Sequence, residues 1–258
     1  MSQERIPHKV VWNSQKIADY WNIWGNLKPK SPWFGEKASG WILGEIKKLR
    51  AGGYLKVEKP RVLDTGCGSG YLLSIFAKAG FECFGIDLSP ERVERAQKEY
   101  PRMIFKVGST MRADFSDNYF DLVVSTQTVE HLLDEDVKPS FNEMARLVRP
   151  GGLVIMTTRY DEDLTQGYHA CPDCHAVYRY SQHLQSYDIP KMEQLFRDAG
   201  LEQVVVKRSR CRNHLRDLLP QHYIGIFRAI DPLLYRLFGS KLDKKIGKYL
   251  YGVASKPQ

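Results

Sequence analysis

A glycine-rich turn between an apolar strand and a helix constrains this chain more than any other feature. Val62-Leu63-Asp64 reads as a strand, Thr65-Gly66-Cys67-Gly68-Ser69-Gly70 as a tight turn, and Tyr71 to Lys78 as a helix stopped by Gly80. Glycines there let the backbone turn sharply and approach a ligand with no Cβ in the way. The spacing is Gly-x-Gly-x-Gly, and Tyr71 stands where the dinucleotide fingerprint has its third glycine. A second strand, Phe81 to Ile86, ends on Asp87, where a carboxylate can accept hydrogen bonds from both hydroxyls of a ribose.

The alternation continues. Ser89-Pro90-Glu91 opens a helix, with serine as N-cap and proline in the first turn. Met103–Val107, Phe120–Ser125 and Gly152–Thr157 read as strands, with a helix over Val137–Val148 before the last. A helix at Ile189–Ala199, a strand at Leu201–Lys207 and a closing strand at Tyr249–Ala254 follow. Strand and helix in turn predict an α/β, doubly wound, mostly parallel sheet. Residues 1–55 read as a helical lid rich in aromatics, among them Trp12, Tyr20, Trp21, Trp24 and Trp41. The remainder, 56–258, is expected to form the main domain. It carries a Cys/His insert at 159–187 and a basic helical insert at 209–246 before the last strand.

No apolar run reaches the roughly 18 residues of a membrane span. The N-terminus lacks the apolar core of a secretory signal, and five cysteines in 258 residues do not form a disulfide scaffold, so a cytoplasmic setting is expected. Residues 200–258 hold twelve Lys/Arg against four Asp/Glu, which accounts for the whole net charge of +8. That excess suits an acidic partner, a lipid-linked substrate or peripheral contact with an anionic membrane. Nucleic acid is disfavoured, because residues 207–216 have no aromatics to stack on bases.

Val62 to Gly70 resembles the first motif of class I S-adenosylmethionine-dependent methyltransferases. Gly85-Ile86-Asp87-Leu88-Ser89 is similar to their second-strand acidic motif. Phe115 to Val123 resembles the lead into their fourth strand, and Arg146 to Gly152 the turn before the fifth. The resemblance implies a seven-stranded Rossmann-like methyltransferase fold with S-adenosylmethionine as cofactor. It implies cofactor-binding roles for Asp64, Gly66, Cys67, Gly68, Gly70, Asp87, Leu88, Ser109, Thr110, Met111 and Gln127. In that reading the glycines meet the amino-acid end, Asp87 the ribose and Leu88 the adenine. Ser109 stands where the family often has Asp.

Gln127-Thr128-Val129-Glu130-His131-Leu132 resembles the Glu-x-x-Glu-His segment of ubiquinone-biosynthesis O-methyltransferases, where these side chains are associated with a divalent metal. Gln127 in place of the first Glu removes a charge from a hard-cation site. The favoured expectation is therefore that Glu130 and His131 line the substrate mouth, with His131 as general base and Glu130, Tyr160 and His169 as weaker candidates. Cys171-Pro172-Asp173-Cys174 has zinc-knuckle spacing, which predicts one structural zinc on Cys171, Cys174, His183 and Cys211. His169, His175 and His214 are alternatives for the fourth ligand. The function expected is methyl transfer to a small-molecule or lipid-linked acceptor. An RNA methyltransferase and a catalytically silent cofactor-binding module are the alternatives.

Overall fold

The computed structural model describes residues 7–26, 34–209 and 249–258. In chain order the elements are β1 (His8–Lys9), α1 (Ser14–Asn26), α2 (Phe34–Ala51), β2 (Arg61–Thr65), α3 (Tyr71–Lys78) and β3 (Glu82–Asp87). There follow α4 (Pro90–Glu99), β4 (Ile104–Val107), β5 (Phe120–Thr126), a 3-10 turn at Val129–His131, α5 (Asp134–Leu147) and β6 (Val148–Arg159). The chain continues through β7 (Tyr168–Ala170), β8 (Ala176–Arg179), α6 (Ile189–Asp198), β9 (Glu202–Ser209) and β10 (Tyr249–Ser255).

Seven strands form one sheet in the order β4-β3-β2-β5-β6-β10-β9. Neighbours from β4 to β6 pair in parallel, and β10 runs antiparallel to both β6 and β9. This is the doubly wound α/β sheet expected from the strand–helix alternation. Side chains alternate across it as strand geometry requires. Val62, Leu122, Val124, Leu153 and Ile155 pack on one face with Ile42, Ile46, Leu73 and Phe76 of α2 and α3. Leu63, Val123, Val154 and Met156 pack on the other with Phe141, Met144, Met192 and Phe196 of α5 and α6. Strands buried on both faces read as continuous apolar runs, which is why they are legible in the sequence.

The N-terminal segment divides in two. α2 belongs to the core, with Ala38, Ile42 and Ile46 wholly buried. Only α1 lies over the sheet's ligand edge, against α4. The segment also contributes β1, a strand that the helical reading of residues 1–55 did not include. β1 pairs in parallel with β8, and β8 with β7 antiparallel, to give a separate three-stranded sheet built largely from the Cys/His insert. Two residues are too few to show a period, so β1 exists through its partner alone. The basic insert, with Cys211 and His214, falls outside the described residues. Among the described residues no helix is long and apolar enough to cross a membrane.

Candidate active site

The parallel strands end at a crevice beneath α1. The turn after β2 is folded back on β3, since Gly66 N–H and Cys67 N–H both donate to the Ile86 carbonyl, at 2.8 and 2.9 Å. Gly66 has φ +84°, and a Cβ there would lie 2.4 Å from the Thr128 hydroxyl oxygen, so only glycine fits. Asp87 latches the same turn. Its Oδ2 accepts from Gly68 N–H and its Oδ1 from Ser89 N–H, each at 2.9 Å. Ser89 caps α4 by accepting from Arg92 N–H, with Pro90 in the first turn, as the sequence predicts.

These elements enclose a cavity of about 540 Å³. Asp64, Gly66, Cys67, Gly68, Asp87, Leu88, Ser109, Thr110, Met111 and Gln127 all line it. Gly70, expected among them, does not. It is the N-cap of α3 with φ +77°, and a Cβ on it would meet Phe105 at 2.7 Å, so that glycine serves packing. The same cavity is lined by Ile17, Tyr20, Trp21 and Trp24 of α1, and by His131, Arg159, Tyr180 and His183. Trp21 ties these parts together. Its ring packs edge-on to His131 at 4.6 Å, the Arg92 guanidinium lies 4.8 Å from its centroid, and its Nε1–H donates to Gln182 Oε1.

Asp64 is buried, and its Oδ1 has no hydrogen-bond partner. Burial, and then the neighbouring Asp87 carboxylate, push its pKa up to about 8. A buried carboxylate with an unmatched oxygen at a cavity wall suits a ligand carrying positive charge. Its pKa is ordinary in the unfolded chain and raised in the fold, so its contribution to stability is complete below about pH 4 and is lost as pH rises through 8. Asp64→Asn should therefore melt like the wild type at pH 4 and about 2–6 °C higher at pH 8. A melting difference that does not change with pH would show that Asp64 is ionised in the fold.

His131 and Glu130 part company. His131 is on the cavity wall, where its Nδ1–H donates to the Gln182 carbonyl at 3.2 Å while Gln182 Nε2–H donates back to the His131 carbonyl. Burial, and then His183, push the His131 pKa down to about 3, so the ring is neutral at working pH and a weak base. That weakens the general-base role expected of it. Glu130 lies behind the wall, wholly buried, and burial pushes its carboxyl up to about 7. Its backbone carbonyl accepts from Leu184 N–H and Gln185 N–H, which pins the insert to the 3-10 turn.

The zinc expectation is corrected for His183. This residue turns into the cavity wall, donates from Nδ1 to Glu162 Oε2 at 2.5 Å, and stacks edge-on against His131 at 4.9 Å between centroids. Glu162 is in turn paired with Arg179 at 3.0 Å. Among the described residues, the metal-ligating side chains that come together are Glu130, His131 and His183, and neither cysteine joins them. Cys171 and Cys174 sit on the β7–β8 turn, where the N–H groups of Cys174 and then Asp173 lower the Cys171 thiol pKa. Sequence reasoning missed Glu162, Arg92, Arg159 and Gln182 altogether. Arg92 alone had a signal, one turn past the Ser89 cap.

A mostly parallel seven-stranded sheet with an antiparallel β10, a glycine turn, an acidic second-strand end and a cavity over the strand tips matches the class I methyltransferase fold. Residues 63–156 match the family model of a methyltransferase domain. The ubiquinone biosynthesis O-methyltransferase of Mesorhizobium japonicum is 30% identical over 153 residues, covering 56% of this chain and 60% of the relative. The ajmaline N-methyltransferase of Rauvolfia serpentina is 29% identical over 179 residues, covering 59% and 60% respectively. The chain thus spans less than two thirds of the length of these relatives. Among solved structures, the 1,6-didemethyltoxoflavin-N1-methyltransferase of Burkholderia thailandensis superposes with a TM-score of 0.57 over 95% of this chain and 85% of that one, at 16% identity. The [4+2]-cyclase SpnF gives 0.57 over 83% and 81%, at 21% identity. The fold alone therefore does not fix the reaction.

Proposed function

We propose that this protein transfers a methyl group from S-adenosylmethionine to a small or lipid-linked acceptor. The observation that carries the reading is one cavity with two unlike ends. At one end, Gly66, Gly68, Asp64 and Asp87 offer open backbone, an unmatched carboxylate and a ribose acceptor. At the other, Trp21, Trp24, His131 and His183 make an aromatic chamber. The cofactor fits the first end on this chain's own terms: its ammonium and sulfonium bring positive charge to Asp64, and its adenine reaches the Leu88 and Ser109–Met111 wall. The cofactor itself supplies an electrophilic methyl group. The protein's work is to align acceptor, methyl and sulfur and to exclude water.

His131 stands on the cavity wall as a neutral imidazole, and Glu130 lies behind it. Named O- and N-methyltransferases among the relatives support a small-molecule acceptor. The basic insert that would meet an anionic surface lies in residues outside the described set, so lipid linkage rests on its charge alone. The test is incubation with methyl-labelled S-adenosylmethionine and, separately, small-molecule and lipid extracts. A labelled product in one pool is expected. Label in neither pool, from protein that binds S-adenosylhomocysteine, would overturn the reading in favour of a binding module.

A further inference from the structure

We propose that Glu130, His131 and His183 bind one divalent metal ion of the zinc type at the acceptor end of the cavity. One ligand atom from each lies within 4.8 Å of those of the other two. This set differs from the Glu-x-x-Glu-His pattern that Gln127 breaks, because its third ligand comes from the insert, fifty-two residues further along the chain from His131.

Three independent features point to an ion. Both oxygens of the Glu130 carboxylate are buried without a hydrogen-bond partner, an arrangement that is costly unless something positive meets them. Both imidazoles have Nδ1 already engaged, His131 with the Gln182 carbonyl and His183 with Glu162. Rings held by a carbonyl or carboxylate are the usual outer support of a metal-bound histidine. Finally, His131 and His183 line the cavity while Glu130 does not, so three protein ligands stand on one side and the open side faces the acceptor. That is the layout of a site with a free position. Two imidazoles and one carboxylate favour zinc and its first-row neighbours over magnesium or calcium, which prefer all-oxygen sets. The ion would lower the pKa of an acceptor hydroxyl or amine that reached it. That use rests on the methyl-transfer reading, whereas the site itself does not.

The experiment uses the full chain carrying Cys171→Ser and Cys174→Ser, so that the exposed thiols cannot compete, stripped with chelator and titrated calorimetrically with zinc and with magnesium. One zinc per chain is expected, with magnesium at least about 100-fold weaker. Glu162→Gln in that background should weaken zinc by about 10–100-fold, through loss of the group that orients His183. His183→Gln should weaken it at least as much, with near-ultraviolet circular dichroism used to confirm the fold. Cobalt in place of zinc should give visible bands without thiolate charge transfer. No zinc uptake by the folded double-serine protein, or uptake indifferent to both substitutions, would overturn the site. S-adenosylhomocysteine binding on the same samples separates the two readings. Zinc without cofactor binding would remove the methyltransferase and leave the metal.

Discussion

Asp87→Ala should bind S-adenosylhomocysteine about 10- to 150-fold more weakly than the wild type, a loss of about 1.5–3 kcal/mol. Two effects combine in that figure. In the proposed site the carboxylate would accept from the ribose, and it holds the glycine turn by accepting from Gly68 and Ser89 N–H. Alanine removes both and leaves two N–H groups to find water. Asp87→Asn keeps the shape and one carbonyl oxygen, so it should fall between the two proteins. Calorimetry at fixed pH reads the series. Affinity unchanged in the alanine variant would take Asp87 out of the site.

The second large effect is expected from the helix over the cavity. Deleting residues 1–33 removes β1 and α1, and with them Ile17, Tyr20, Trp21 and Trp24 from the wall. Methyl transfer should be lost and dissociation of S-adenosylhomocysteine should quicken by about tenfold or more, since an open crevice no longer excludes water. The sheet should remain folded, because α2 keeps Ile42 and Ile46 in the core. A cut at residue 40 would confuse the result, since it takes the buried Ala38 from that core. Trp21→Ala is the milder version, breaking the link from α1 to His131, Arg92 and Gln182 at once. Normal cofactor dissociation from the truncated chain would show that α1 is not a lid.

The parts of the molecule legible in the sequence are those governed by short-range rules. The strand–turn–helix from Arg61 to Lys78, the Ser89 cap and the central strands each show their own periodicity or capping chemistry. The part of the cavity wall made by the glycine turn and Asp87 follows, because one turn and one strand end make it. Gly70 stands outside the cavity wall for a reason no local spacing carries, since the residue it packs against, Phe105, is thirty-five positions on. The acceptor end was not legible. His183 faces His131 because Gln182, at φ +53°, reverses the chain beside it and because Glu162 fastens its ring. No spacing rule connects residues 131, 162 and 183. The Cys-x-x-Cys turn drew His183 toward the wrong partners, since sequence proximity was the only measure of distance.

The two-residue strand β1 gives the cover over the cavity its mechanical character. Val10 N–H donates to the Val177 carbonyl at 2.9 Å and His8 N–H to that of His175, just ahead of the first turn of α1. The leading end of α1 is thereby stitched to the hairpin that precedes His183, and Tyr20, by donating its hydroxyl to the Tyr180 carbonyl, adds a stitch midway. α1 cannot swing aside alone without parting these bonds. While they hold, helix and hairpin are one body, so any displacement of α1 carries the wall before His183 with it.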